Sequence, residues 1–219
     1  MELLYLFTLL LLFILMVICL EFIQKKKNVQ GETTRKMGHF ILGCILIMQP
    51  YVFSHIVFPI ILSIIISIII YIFSITNNLS CADNVTRKTH GTYLYPIGLL
   101  ITLLFSYRIN RIDLFYQASL ILIISDIASA IIGKYSINNK LKYGYKINNK
   151  IFALFHKTLY GSLTFFVFTA IILTVFYIDN IALVLSVSLL VTIVEFISTK
   201  GLDNLTIPIS ASVLLYLLA

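Results

Sequence analysis

The sequence is poor in charged residues and has only three cysteines. Charged residues make up 11% of its 219 residues, whereas a soluble domain carries about 25%. The mean hydropathy of +1.02 agrees with this deficit, so the composition excludes a water-soluble globule. Cys19, Cys44 and Cys81 show no paired spacing, which argues against a disulfide framework or a zinc site.

Two familiar sequence signals are also missing. No Gly-x-x-x-x-Gly-Lys-[Ser/Thr] segment is present, so a P-loop nucleotide site is excluded. The first apolar run, residues 3–23, has no basic region before it and is followed by Lys25, Lys26 and Lys27 instead of a small-residue cleavage site. We therefore interpret this run as a retained helix and not as a signal peptide.

Long apolar runs fill most of the chain. A bilayer-spanning helix needs about 20 mostly apolar residues, and this length has room for about seven to nine such helices. We predict an all-α, polytopic integral membrane protein, a single domain of residues 1–219 with seven or eight transmembrane helices. The predicted spans are 3–23, 37–53, 56–76, 92–109, 113–133, 158–178, 181–199 and 204–218. Pro96 and Pro208 interrupt the fourth and the last span, so each of these two is a candidate half-helix.

The basic residues between the spans predict the orientation. Lys and Arg accumulate in cytoplasmic loops. With the loop after the first span placed inside, every Lys and Arg except Arg108 and Arg111 falls on the inner side. The N-terminus is therefore expected outside and the Lys-rich segment 134–157 inside. Arg87 and Lys88 form another inner loop, for which contact with anionic lipid headgroups is the ordinary role.

A polar face leads into the second span. Glu32, Arg35, Lys36 and His39 follow each other at helical spacing, so on a helix they share one face. In the ordinary interpretation, Arg35 and Lys36 reach back to the membrane surface and Glu32 pairs with Lys36. That interpretation does not explain His39, which lies beyond the basic pair inside the apolar span.

Two carboxylates lie inside predicted spans. Asp126 is about two helical turns, roughly 10 Å, short of the cytoplasmic end of the fifth span, and Glu195 is about one turn from the inner end of the seventh. A charge at such a depth is costly and must face protein or water. Helix packing explains the small residues beside Asp126, but it does not explain the carboxylate.

The start of the sixth span combines a cation with a helix cap. Lys157 precedes Thr158, and Gly161 and Ser162 follow in the first turn. A cap and a nearby glycine let backbone N–H groups approach an anion, so this segment is a candidate phosphate site. An ordinary helix start is the competing interpretation. Asp203 or Asn204 is a candidate cap for the last helix, and Asp203 alternatively joins the carboxylates on the inner side.

These groups suit phosphoryl transfer to an alcohol within the membrane. Magnesium usually binds through one or two carboxylates plus substrate phosphates, and cations stabilise the charge on a phosphoryl group in flight. The excess of 16 Lys and Arg over 9 Asp and Glu also fits anionic lipid or a phosphate-bearing substrate. Nucleic acid is not an expected partner, because so little of the chain reaches water.

The motifs, in this order, resemble the CTP-dependent lipid-alcohol kinases: phytol kinases, dolichol or polyprenol kinases, and CTP-dependent diacylglycerol kinases. The resemblance covers about residues 30–210 and rests on Glu32, Arg35, Lys36, His39, Asp126, Gly133, Lys157, Thr158, Gly161, Ser162, Glu195, Asp203, Asn204 and Pro208. Ser129 and Ile137 stand where the family often has Ala and a second Gly. His156 and Tyr160 stand where dolichol kinases have a basic and an acidic residue. These departures move the match toward the small phytol-kinase-like members.

The resemblance implies a reaction and a set of site residues. CTP gives its terminal phosphate to the hydroxyl of a long-chain isoprenoid alcohol at the cytoplasmic face, with Mg²⁺ or another divalent cation. The implied catalytic residues are His39, Arg35, Lys36 and Asp126. The implied nucleotide-binding residues are Glu32, Gly133, Lys157, Thr158, Gly161 and Ser162, and the metal ligands are Asp126, Glu195 and Asp203. The base that accepts the hydroxyl proton is His39 in one version, and Glu32 or Asp126 in the other.

Two other functions remain open at the level of sequence. A CTP-dependent diacylglycerol kinase or a phosphatidate cytidylyltransferase uses similar phosphate clamps. A transporter would use Asp126 and Glu195 as ion or proton relays, but it also needs polar residues on both sides of the membrane. The predicted outer loops offer only Arg108, Arg111, Asp113 and Asp179.

Overall fold

The computed structural model describes residues 1–27, 31–75, 90–138 and 157–219, with backbone only for Lys27, Glu32, Ile137 and Asn138. All regular structure in these ranges is helical, so the predicted all-α class is confirmed for the described part of the chain. The helices are α1 (Glu2–Lys27), α2 (Gly31–Ile47), α3 (Gln49–Val52), α4 (Val57–Ile75), α5 (Gly91–Arg108), α6 (Ile112–Leu120), α7 (Asp126–Asn138), α8 (Leu159–Phe176), α9 (Ile181–Ile197) and α10 (Asp203–Leu218).

Four described segments are long and apolar enough to cross a membrane: Glu2–Lys26, Val57–Ile75, Ile112–Ser136 and Leu159–Phe176. By length and composition, these helices identify a membrane protein. Helices α9 and α10 are also apolar but shorter, with 17 and 16 residues. The outward faces are apolar as well, with exposed side chains such as Leu11, Ile68 and Ile171, and a large apolar surface of this kind marks contact with a membrane or a partner.

Helices α6 and α7 form one continuous helix through a π-helical turn, Ile121–Ser125. A π-helical turn holds one residue more than an α-helical turn and is frequent at functional sites. The extra residue rotates the helix face that follows it, and Asp126 is the first residue after the turn. The π-helical turn packs against α2 and α8, so it lies at the centre of the described helices.

The prolines within α5 and α10 do not end their helices. Pro96 lies inside the 18 residues of α5, and Pro208 lies inside the 16 residues of α10. The prediction that these prolines interrupt their helices is therefore wrong. A proline removes one backbone hydrogen bond, and tight packing of α5 against α10 holds the two helices together around these sites.

The start of α5 is fixed to the turn between α9 and α10. The Asn204 side chain donates to the carbonyl of Gly91 over 2.7 Å, and the N–H of His90 donates to the carbonyl of Lys200 over 3.0 Å. A Cβ atom at Gly98 would lie 2.3 Å from the carbonyl oxygen of Asn204. Only glycine lets the two backbones approach this closely. The first half of α5 is therefore held directly against the start of α10.

A second group of polar contacts lies at the other end of the helices, where α1 begins. Glu2 accepts from the N–H of Ser54 over 2.9 Å and contacts His55 over 3.0 Å. At the turn between α5 and α6, Arg111 pairs with Asp113 over 2.9 Å. The described charges therefore divide between two ends of the molecule, and an apolar core separates them.

Candidate functional site

Lys36 and Asp126 form the first polar cluster, which joins α2 to α7. The Lys36 ammonium donates a short hydrogen bond to Asp126 Oδ2. The two side chains are only 13% and 4% exposed, so both charges are largely removed from water. Losing one partner of such a pair leaves an uncompensated buried charge, which is strongly destabilising. The expected partner of Lys36 in the ordinary interpretation was Glu32, whose side chain lies outside the described residues.

Lys157 forms the second cluster, with two carboxylates from other helices. Its ammonium donates to Glu195 Oε1 over 2.6 Å and to Asp203 Oδ2 over 3.2 Å. Ser162 donates to Glu195 Oε2 over 3.4 Å. Burial alone would lower the pKa of Lys157, but the carboxylates of Asp203 and Glu195 override this effect and raise its pKa above the ordinary 10.5. Lys157 therefore stays protonated throughout the neutral range.

The two clusters are electrostatically connected. Asp126 is stabilised by the charges of Lys36, Lys157 and Arg35, and Lys157 in turn interacts with Asp126 as well as with its own two carboxylates. Cations and carboxylates from α2, α7, α9, α10 and the start of α8 thus meet at one end of the helices. Their positive and negative charges balance, which lowers the cost of gathering them in a partly buried place.

Thr158, Gly133 and Gly161 have an observed structural role where α7 crosses α8. The N–H of Gly161 donates to Thr158 Oγ1 over 3.0 Å, so the predicted helix cap is confirmed. A Cβ atom at Gly161 would lie 3.2 Å from the carbonyl oxygen of Ser129 and 3.7 Å from the Cα of Gly133. The glycines therefore let two helices approach closely. Nucleotide binding by these three residues stays a prediction.

Among the described residues, His39 lies near charged groups of both clusters but forms no hydrogen bond with them. It is 2% exposed, and its ring stacks on that of Tyr95 with 4.7 Å between centroids. Among the described residues, neither His39 nitrogen nor the Tyr95 hydroxyl has a hydrogen-bond partner, which is unusual for buried polar groups. His39 borders a cavity of about 40 Å³ together with Thr34 and Arg35, and this space is large enough for water.

Several predictions from the sequence about this end of the molecule can be compared with the structure. Asp203 was a candidate cap, but α10 has Leu202 at the capping position without a side-chain hydrogen bond, and Asp203 contacts Lys157 instead. The sequence analysis did not predict that Tyr95 contacts His39. The one indication in the sequence is that Tyr95 is a tyrosine within an apolar span. The Arg87–Lys88 loop and His156 lie outside the described residues.

The carboxylates can be tested as magnesium ligands by their chemistry. Among the described residues, no group of three or more His, Cys, Asp or Glu side chains could hold a metal ion. Asp126, Glu195 and Asp203 each face a lysine instead. Magnesium usually binds one or two carboxylates together with waters and substrate phosphates, so metal binding by these residues stays a prediction.

Comparisons of the chain with family models, curated proteins and solved structures find no match. The functional argument therefore depends on the chain's own residues and on the geometry just described.

Proposed function

We propose that this protein is a CTP-dependent kinase that phosphorylates the hydroxyl of a long-chain isoprenoid alcohol at the cytoplasmic face of the membrane. The observation that carries the proposal is the connection between the Lys36–Asp126 pair and the Lys157 cluster at one end of apolar helices. In the reaction, the alcohol oxygen forms a bond to the terminal phosphorus, the bond to the β-phosphate oxygen breaks, CDP leaves, and the hydroxyl loses its proton.

The lysines supply the electrostatic part of this reaction. Phosphoryl transfer depends mainly on positioning and on stabilising the charge of the moving group. Lys36 and Lys157 are hydrogen-bond donors already placed beside carboxylates, and when a triphosphate binds, they turn to its oxygens. Asp126 and Glu195 would then be the oxygen ligands available to hold magnesium. Bound magnesium would neutralise phosphate charge and orient the terminal phosphate.

The hydroxyl proton needs an acceptor nearby. A neutral imidazole has one acceptor nitrogen, and His39 has no described protein partner that occupies it. Imidazole is also the side chain that most often serves as a general base in enzymes. Asp126 is the competing acceptor, because it is the carboxylate that the substrate meets beside Lys36. The two assignments predict different pH dependences of the rate.

The proposed topology has seven or eight spans with the N-terminus outside. Its support comes from the distribution of described cations. Lys36, Lys134, Lys157 and Lys200 lie toward the site end, whereas Arg108 and Arg111 lie at the opposite end with the start of α1. The positive-inside rule assigns the end with more Lys and Arg to the cytoplasm, where CTP is available.

Three alternative functions make different predictions. A phosphatidate cytidylyltransferase transfers the CMP group, and a diacylglycerol kinase uses a different lipid alcohol. A transporter needs ionisable relays along its depth. Between the two charged ends, the described core offers uncharged polar pairs, such as Thr169 with Ser125 and Tyr177 with Gln117.

The deciding experiment uses purified protein in lipid vesicles and CTP labelled at either the α- or the γ-phosphate. We expect label from the γ-position, and none from the α-position, in a long-chain isoprenoid alcohol. Parallel reactions contain diacylglycerol or phosphatidate in place of the alcohol. Transfer of α-label to phosphatidate would replace the kinase assignment by a cytidylyltransferase, and γ-transfer restricted to diacylglycerol would correct the acceptor.

A further inference from the structure

A groove lies between α2 and α7, directly beside the Lys36–Asp126 pair. Its volume is about 330 Å³, which falls within the range of roughly 300–1,000 Å³ for ligand sites. Its apolar wall includes Phe40 and Ile41 from α2 and Ile127 from α7. Phe40 is 47% exposed and Ile41 is 37% exposed, so this wall is open to whatever surrounds the helices.

The two helices that form the groove run in opposite directions. Lys36 meets Asp126, whereas seven positions later on α2 a Cβ atom at Gly43 would lie 2.5 Å from Ile123 Cγ1. Moving forward along α2 therefore means moving backward along the helix that contains α7. Residues early in α2 lie beside residues late in α7.

This direction gives the groove a polar end and an apolar end. Thr33, early in α2, and Lys134, late in α7, lie at the end nearer the helix termini. Phe40, Ile41 and Ile127 lie at the deeper end. Over a rise of 1.5 Å per residue, the eight positions from Thr33 to Ile41 span about 12 Å. Lys36 lies between the two ends, with Asp126 behind it.

We infer that the groove binds the acceptor as a single hydrocarbon chain with one polar end group. The chain lies against the apolar wall, and the hydroxyl lies beside Lys36, within reach of the phosphate donor. After transfer, the new phosphate is an anion next to Lys36 and Lys134. These two lysines bind the phosphorylated product more tightly than the neutral alcohol. The inference rests on the proposed function for the identity of the chain as the acceptor.

A photoreactive ligand tests this placement without using turnover. The probe is a long-chain primary alcohol with a diazirine on the part of the chain close to its hydroxyl, added to the full-length protein in phosphatidylcholine vesicles. After illumination, we expect labelled peptides that contain Phe40, Ile41 or Ile127. An excess of unlabelled isoprenoid alcohol should remove the labelling, and additional phosphatidylcholine should not.

Two tryptophan variants control for the shape of the groove. Ala130 lines the groove, so Ala130→Trp should fill it and lower the labelling about tenfold. Ile132 lies two positions away on the same helix and is 40% exposed, but it is not part of the groove lining. Ile132→Trp should leave the labelling within about twofold of wild type.

The possible outcomes distinguish a failure of the proposed binding site from a failure of the proposed kinase reaction. Labelling that phosphatidylcholine competes away would show that the groove holds bulk lipid, and it would overturn the inference. Labelling confined to α1 and α4 around the His39 cavity would also overturn it, even if γ-phosphate transfer were observed. Labelling in the groove without any transfer from CTP would support the binding site and reject the proposed reaction.

Discussion

Lys36 on α2 pairs with Asp126 on α7, 90 positions away in the sequence, and both side chains are largely buried. The pair is both a structural link between helices and the centre of the proposed site. We predict that Lys36→Met and Asp126→Asn each destabilise the protein by about 3–5 kcal/mol, because each leaves a buried group without its partner. Unfolding in detergent measures this cost.

The double variant Lys36→Met/Asp126→Asn separates structure from function. It removes both charges, so we expect it to recover a large part of the lost stability relative to either single variant. Activity should remain at least about a hundredfold below wild type. Lys25→Met is the matched control, because Lys25 is an exposed partner of Glu21 at 3.6 Å. Recovery of activity together with stability would show that the pair serves only the fold.

Lys157 gives a prediction about pH. Its raised pKa means that its ion pairs contribute to stability in full below its ordinary pKa of 10.5, and that this contribution is lost as pH rises above that value. The difference in stability between wild type and Lys157→Met should therefore be constant from neutral pH to about pH 10. A difference that falls between pH 7 and 9 would mean that Lys157 loses its proton in the working range.

Gly161 tests the packing role against the phosphate role. A Cβ atom there meets the backbone carbonyl of Ser129 at 3.2 Å and Thr158 Oγ1 at 2.8 Å, so Gly161→Ala should cost about 1–3 kcal/mol. Gly38→Ala is the matched control. Its Cβ would meet only the flexible end of Leu20 at 3.2 Å, and its effect should stay within about 1 kcal/mol. A Gly161→Ala protein of normal stability but low affinity for CTP would favour the phosphate role.

His39 gives a prediction about the rate profile. If His39 accepts the hydroxyl proton, the rate falls at acidic pH as the imidazole becomes protonated. His39→Gln should then lose most of kcat and also lose this acidic limb. Tyr95→Phe keeps the stacked ring and removes only the hydroxyl, so it serves as the control for packing. An unchanged acidic limb in His39→Gln would point to Asp126 as the acceptor.

The topology can be tested by labelling single cysteines. Cys19, Cys44 and Cys81 are first replaced by Ala, and one new cysteine is then introduced at Asn110 or at Lys200. A membrane-impermeant thiol reagent added to intact cells should react with Asn110→Cys and not with Lys200→Cys. The reverse pattern would invert the proposed orientation and place the site outside.

The sequence alone predicted the two buried carboxylates because the cost of a charge in a membrane makes such residues conspicuous. Asp126 and Glu195 stood out as carboxylates within apolar spans, and both are buried beside lysines. The helical class and the Thr158 cap followed from local patterns. These are properties of neighbouring residues, and periodicity and capping rules describe them well.

The sequence could not identify which groups meet across the fold. Lys157 reaches Glu195 and Asp203, 38 and 46 positions away, and no helical spacing encodes such a contact. The π-helical turn before Asp126 was also not visible as a pattern, because its five residues are as apolar as their neighbours. The packing of Gly133 on Gly161 depends on the helix crossing and not on either local motif.

The most direct test of the central claim measures transfer of γ-label from CTP to a long-chain isoprenoid alcohol. It compares wild type with the Lys36→Met/Asp126→Asn double variant, using equal amounts of folded protein. We predict label in the lipid phosphate with wild type, and at least about a hundredfold less with the variant. No labelled lipid phosphate from wild type, or equal amounts from both proteins, would contradict the assignment of phosphoryl transfer to this site.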